Sequence, residues 1–429
     1  MALTKDLGYK YLWVDRYCIA QQDAEVKHIQ IAQMGKIYAT ADLTIIAAIG
    51  SDPTHGLPGF RESRSVRSAR LRSSYISVLP ASDDLTQIVH SPWSMRAWTL
   101  QESILSRRRL ILTGRQAMFL CNTQLNFEAE DDDSEHRYEA SAFQSVGWLP
   151  PRASDPQKVA LDIAQSYLIE YSKRALSYDA DALDAIVGAL NTLMRETVYH
   201  TWGVPFAPIH QRVLLSWSHS SLARRRPAFP SWSPLGWVGA IDFQAGAIIE
   251  PSRVEVTVRG YTIPLTDFAP KVSLLPTEVS QKIAIRGESY APPFINGDGV
   301  VVPFTNSFYY VARVAWSELP SKKHDGSFGV KVLLLRNEGD YSDWFFVLKR
   351  LEQDRENTWE RIGFGSLPNF PGPLAVQDAQ FTEWLNVNFQ AVSSTSIAAG
   401  QLRYSLASSY FQGHRWFKQY FTEDTMAIV

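Results

Sequence analysis

The stretch YKYLWVDRYCIAQQDAEVKHIQIAQMGKIYATADLTIIAAI, residues 9–49, decides the fold class. Tyr9 to Val14 is dense in aromatic and branched residues and ends at Asp15, the pattern of a buried strand that delivers polar side chains to its carboxyl edge. Val26, Ile29, Met34 and Ile37 fall on one stripe at helical spacing, which predicts a helix. Leu43 to Ile49 is a continuous apolar run, short enough to be a second buried strand. Strand, helix and strand in this order predict a βαβ unit.

Working outward, the Gly, Pro, Ser and Arg content of Gly50 to Arg72 predicts a long exposed loop. A helix is expected around Ser94 to Leu105, then short strands at Arg109 to Leu112 and Ala117 to Leu120. Residues 1–125 therefore read as an α/β domain. Residues 126–240 read as an acidic linker and a helical connector. The run EAEDDDSE, Glu128 to Glu135, is a solvated linker on the simplest reading, since consecutive carboxylates repel and lack the spacing of a calcium loop. Val159 to Glu196 reads as helical, with Leu183, Ile186, Val187 and Leu190 on one stripe. Residues 241–429 read as a β-rich domain. Its segments VEVTVRGYTI, QKIAIRG, GVVVPF, FYYVARVAW, GVKVLLLR and WFFVLKRL, separated by turn residues, predict an antiparallel sandwich or barrel.

Composition bounds the function classes. The 429 residues are 45% hydrophobic and 20% charged, the profile of a folded chain. Lys and Arg number 42 against 44 Asp and Glu, so a globally basic nucleic-acid binder is excluded and any anion site is local. Two cysteines, Cys18 and Cys121, supply neither a disulfide framework nor a four-thiolate zinc site, so no metal is expected and a cytoplasmic setting fits. No run approaches the roughly 20 apolar residues of a membrane helix, and the N-terminus has no apolar region of signal-peptide type, so no membrane association is expected.

The most informative stretch for chemistry is SPWSMRAWTLQESILS, Ser91 to Ser106. On a helix, Met95, Trp98, Glu102 and Leu105 share a face, which makes Glu102 the one acid on an otherwise apolar surface. A buried carboxylate needs a partner, so Glu102 either makes a structural ion pair or is held for a ligand. Asp15 and Arg16, at the end of the first expected strand, lie where doubly wound sheets bind ligands; Asp15 serves equally well as a turn cap. Cys18 with His28 lacks a third partner for nucleophilic catalysis. The arginines of Arg61 to Arg72, Arg107 to Arg109 and Arg224 to Arg226 read as solvated runs; alternatively, an arginine of the first run or of Arg107 to Arg109 reaches a pyrophosphate.

Three ordered runs, LGYKYLWVDRYCIAQQD, HIQIAQMGKIYATADLTIIAA and RAWTLQESILSRRRLIL, resemble the fungal heterokaryon-incompatibility (HET) domain. Its hallmarks are a Leu-Trp-(Ile/Val)-Asp…Cys-Ile-x-Gln stretch, a Met-x-x-Ile-Tyr segment and an Arg-x-Trp-Thr-Leu-Gln-Glu helix. YSKRALSYDADALDAIVGAL, PAFPSWSPLGWVG and WERIGFG resemble segments that follow this domain. The resemblance implies a TIR-like, flavodoxin-like α/β domain. In NAD-cleaving TIR domains a glutamate four residues after a tryptophan is catalytic, which is the separation of Trp98 and Glu102. It therefore implies Glu102 as the catalytic candidate, Asp15, Arg16 and Trp98 at the substrate, and NAD as substrate rather than cofactor. For Trp98 a core role is the alternative.

The resemblance further implies a cytoplasmic effector of incompatibility and regulated cell death, acting as a homo-oligomer with an incompatibility partner protein. The rival expectation is a non-catalytic self-association and recognition module. A reachable Glu102 beside Asp15 is expected of an enzyme, and a Glu102 held against Arg96 or Arg109 of a scaffold. HET domains usually open with a Tyr-x-x-Leu-Ser-Tyr-x-Trp-Gly segment, and nothing like it precedes Leu7. The first strand is accordingly expected to be missing here.

Overall fold

The computed structural model describes residues 1–50, 52–60, 67–71, 74–78, 84–121, 124–128, 156–193, 198–208, 210–244, 249–268, 278–292, 295, 299–305, 308–321, 329–335, 342–351, 358–368 and 422–429. They divide into two compact units, Met1–Arg195 and Glu196–Val429.

The first unit carries helices α1 (Ala2–Asp6), α2 (Asp15–Cys18), α3 (Ala24–Thr40), α4 (Asp84–Val89), α5 (Ala97–Leu105), α6 (Pro156–Ser172) and α7 (Asp184–Asn191). Its strands are β1 (Thr44–Ala47), β2 (Arg67–Leu71), β3 (Ser74–Val78), β4 (Arg108–Leu112), β5 (Ala117–Cys121) and β6 (Leu125–Phe127). The main sheet has the order β1-β4-β5-β6. β1 runs parallel to β4, and β4, β5 and β6 then form an antiparallel meander. Ile46, Ile111, Met118 and Leu120 are buried along it. This is an α/β unit, as expected, but its described sheet mixes one parallel pair with two antiparallel ones. β2 and β3 form a separate hairpin, so strand structure enters what was expected to be a loop.

The expected strand at Tyr9 to Val14 does not form. The backbone is extended at Val14 (φ −138°, ψ 123°), yet the segment joins no sheet, and Tyr9, Tyr11 and Leu12 are exposed. An extended segment becomes a strand only when a neighbour takes up its backbone groups laterally. Here Trp13 instead sets its ring edge-on against Tyr38 of α3, centroids 5.7 Å apart. The βαβ reading of residues 9–49 thus keeps its helix and its second strand and loses its first. α3 is capped by Asp23, whose side chain accepts the Val26 N–H at 3.0 Å. Only the later half of its predicted stripe is covered: Met34 is buried, whereas Val26 and Ile29 are exposed.

The helices expected as a connector belong to this unit. α7 packs on α5 and α3, and it does so closely because glycines meet: a Cβ on Gly35 would lie 3.3 Å from the Gly188 Cα. Gln101 of α5 accepts the Gly188 N–H at 2.8 Å.

The second unit is β-rich. Short strands come first: β7 (Tyr199–Thr201), β8 (Val204–Ala207), β9 (Arg212–Val213), β10 (Trp217–His219), β11 (Arg224–Arg225), β12 (Trp237–Val238) and β13 (Ile241–Phe243). The main sheet follows, made of β14 (Val254–Val258), β15 (Tyr261–Pro264), β16 (Val279–Tyr290), β17 (Gly299–Thr305), β18 (Phe308–Trp316), β19 (Val330–Leu335), β20 (Ser342–Arg350), β21 (Trp359–Pro368) and β22 (Thr422–Ile428). Its order is β15-β14-β16-β19-β20-β21-β18-β17, with β22 laid antiparallel along β16 and touching β21 in parallel at Trp359 and Ile428. Every apolar segment read as a strand in residues 254–351 is one. Ile285, Leu333, Phe346, Phe364 and Ile428 are at the centre of its core. No helix among the described residues is long and apolar enough to cross a membrane.

Candidate functional site

The site is built on α5 and on the turn before it. α5 begins only at Ala97, with Arg96 at its N-cap, so Met95 drops off the expected common face and is exposed. Most polar groups of the helix have structural partners. Trp98 Nε1 donates to Asp181 Oδ2 at 3.3 Å, and Gln101 holds α7 as described. Thr99 Oγ1 lies 2.5 Å from the Trp93 carbonyl and 2.7 Å from that of Arg96. The Ser103 carbonyl accepts from Arg109 Nε at 2.6 Å. The Trp-Thr-Leu-Gln portion of the motif is therefore architecture, and Glu102 remains.

Glu102 is partly buried, and the four groups around it come from three segments: the turn ahead of α5, α3 and α2. Trp93 Nε1, in the turn ahead of α5, donates to Glu102 Oε2 at 3.4 Å. The Tyr38 hydroxyl hydrogen-bonds the same carboxylate, and Tyr38 is braced by Trp13. Arg96 and Asp15 act on it through space. Burial raises the Glu102 carboxyl above the ordinary range. The Arg96 charge and the Trp93 and Tyr38 hydrogen bonds pull it back, and the Asp15 charge pushes it further up. Tyr38 is also raised, first by burial and then by the negative charges of Glu102 and Asp15, so its phenol stays a neutral donor.

All three sequence motifs thus converge on one carboxylate: Trp13 and Asp15 from the first, Tyr38 from the second, Glu102 from the third. Asp15 is exposed and opens α2 rather than ending a strand; its Oδ1 accepts the Arg16 N–H at 2.7 Å. Arg16 is exposed, and among the described residues no interaction joins it to Glu102. Trp98, one turn before Glu102 on α5, has its indole N–H engaged by Asp181. Of the arrangements expected for enzyme and scaffold, the structure supplies a part of each, since Asp15 and Arg96 both act on Glu102, while Arg109 is buried and turned to Ser103.

Trp93 and Tyr38 escaped the sequence reading although each lies inside a quoted motif, whereas Arg96 was expected beside Glu102 only as a scaffold's partner. Helical spacing selected Trp98 because the helix was expected to begin near Ser94. Starting the helix at Ala97 leaves Trp93 in a turn closed by Ser91 and Ser94, with Ser94 N–H on Ser91 Oγ at 3.1 Å, and spacing rules for helices no longer apply there.

The other sequence candidates are otherwise engaged. Cys18 Sγ accepts the Val14 N–H at 3.4 Å, while the His28 charge is felt by Asp184. Arg107 and Arg108 are exposed; Arg225 pairs with Glu360 at 2.7 Å, and buried Arg226 donates to the Leu235 carbonyl. Residues 129–135 of the acidic run and most of the Arg61 to Arg72 cluster lie outside the described residues. In the second unit, His219 Nδ1 is 2.8 Å from Ser317 Oγ between the Trp217 and Trp237 rings; burial, then the Arg361 charge, push its pKa down to about 3, so the ring is a neutral packing group.

No curated protein and no solved structure matches this chain. Residues 1–102 match the family model for heterokaryon incompatibility protein (HET), a span that contains Asp15, Tyr38, Trp93 and Arg96 and ends on Glu102 itself.

Proposed function

We propose that this chain acts in heterokaryon incompatibility and that its Glu102 centre cleaves the bond between nicotinamide and ribose in NAD. The family match supports the process, and the TIR-like reading enters through the site rather than through the sheet. The observation that carries the chemistry is a carboxylate enclosed enough to be raised in pKa, yet held by an indole N–H, a phenol and a guanidinium that favour its ionised form.

In such a reaction the C–N glycosidic bond breaks and its electron pair leaves on the nicotinamide nitrogen, neutralising the pyridinium. The ribosyl group becomes an oxocarbenium-like cation. Ionised Glu102 stabilises that cation, and water then adds, releasing ADP-ribose and a proton. No general acid is needed for a leaving group that departs neutral. On this reading the setting is a fungal, cytoplasmic cell-death response, executed by a homo-oligomer that answers to an incompatibility partner.

NAD consumption by the oligomerised full chain should exceed that of Glu102→Ala; equal rates would overturn the enzymatic reading. The second reading, a recognition module, is favoured by Tyr11 and Tyr17, 91% and 76% exposed. It predicts that Glu102→Ala keeps signalling while changes at those tyrosines abolish it.

The electrostatics give a signed pH prediction. Arg96 lowers the Glu102 pKa and Asp15 raises it. Arg96→Ala should move the acid limb of turnover to higher pH and Asp15→Asn to lower pH, each changing the rate on that limb roughly three- to tenfold. Turnover measured from pH 4.5 to 8.5 checks this, and shifts in the same direction would contradict it.

A further inference from the structure

The turn that carries Trp93 and Arg96 is held by a segment outside the 1–102 match. Just after α6, the Ala175 N–H donates to the Met95 carbonyl at 2.7 Å, and the Ala97 N–H donates to the Ala175 carbonyl at 2.8 Å. This is an isolated parallel bridge that sets Arg96 opposite Ala175. Arg174 is buried beside it, with Nη1 donating to Thr99 Oγ1 at 3.2 Å and reaching the Arg96 carbonyl at 3.5 Å. Thr99 is the residue whose hydroxyl meets the carbonyls of both Trp93 and Arg96. Burying a guanidinium carries a desolvation cost, so its placement here calls for a reason.

We infer that Arg174 and Ala175 are positioning residues for Glu102: they lock residues 91–96 so that the Trp93 N–H and the Arg96 charge stay on the carboxylate. The inference rests on Glu102 being the functional centre, and it does not require NAD to be the substrate. The charged and titratable groups facing Glu102 are Arg96, Asp15, Tyr38 and, from the clamp itself, Arg174.

Two full-chain variants test the clamp without removing a charge. Arg174→Lys keeps the cation and loses the fork; Thr99→Val keeps both cations and loses the hydroxyl that joins them. The Glu102 protonation midpoint is read from the infrared carboxylic C=O band, with Glu102→Gln as the reference. Both variants are expected to move that midpoint upward, because Arg96 and Trp93 disengage. NAD turnover, where present, should fall roughly tenfold on the acid limb of its pH profile and recover on the plateau above it, with KM little changed. An unchanged midpoint in folded protein, verified by its thermal transition, overturns the clamp. If Arg174→Lys fails to fold, Thr99→Val decides alone. If no NAD is consumed by the parent, the infrared midpoint still decides, and only the substrate reading fails.

Discussion

Glu102→Gln is expected to lower NAD cleavage by a hundredfold or more while raising the thermal midpoint of the N-terminal unit. The first effect follows from the loss of the one charge placed to meet a ribosyl cation; removing a single electrostatic contact to a transition state typically costs about 100- to 1,000-fold. The second follows from burial, which raises the Glu102 carboxyl despite Arg96, Trp93 and Tyr38. An acid raised in the fold keeps its proton to higher pH than it does unfolded. Wild-type stability is therefore lost as pH climbs from the unfolded glutamate value, about 4.3, through the raised folded value. Glutamine has no such dependence. The advantage of the variant should be absent near pH 4 and full once folded Glu102 is ionised, on the order of 1 kcal/mol, or about 2–4 °C. Calorimetry at both ends of that window tests it. A purely structural acid predicts the opposite sign at neutral pH, because losing the Arg96 interaction would then destabilise.

This pairing of lost activity with gained stability also explains what the sequence could and could not disclose. Glu102 was legible because a lone acid among Trp98, Leu105 and their neighbours is a local pattern. The β-rich segments were legible for the same reason: VEVTVRGYTI became the β14–β15 hairpin, with Val258 paired to Tyr261. Tyr9 to Val14 misled because its aromatic density fits a strand and also fits a segment that lays one indole on a helix. Which outcome prevails depends on a sheet neighbour, and that is not local information. Arg174 was illegible altogether, since its contacts to Arg96 and Thr99 span 75 or more residues.

Arg361 is where a single substitution should cost the second unit most. It lies in the WERIGFG segment on β21 and is 1% exposed. Its guanidinium sits 3.8 Å from the centroid of the Trp217 ring and 4.4 Å from that of Phe346. Nη1 donates to the Leu215 carbonyl at 3.0 Å and Nη2 to the Trp217 carbonyl. Burial holds its pKa well below the usual arginine value. Arg361→Ala would leave two carbonyls without their donor inside a cavity walled by aromatic rings, an expected loss of about 3–5 kcal/mol and on the order of 10 °C in the midpoint. Arg361→Met fills most of the volume and removes the buried charge, so its loss should be smaller, about 1–3 kcal/mol. Arg361→Lys should be no milder than alanine, because an ammonium is more strongly hydrated, serves fewer fixed acceptors and cannot stack. Denaturant unfolding of the three variants gives the order directly. A lysine variant as stable as the parent would show that charge alone, without the planar fork and its aromatic faces, holds this part of the core.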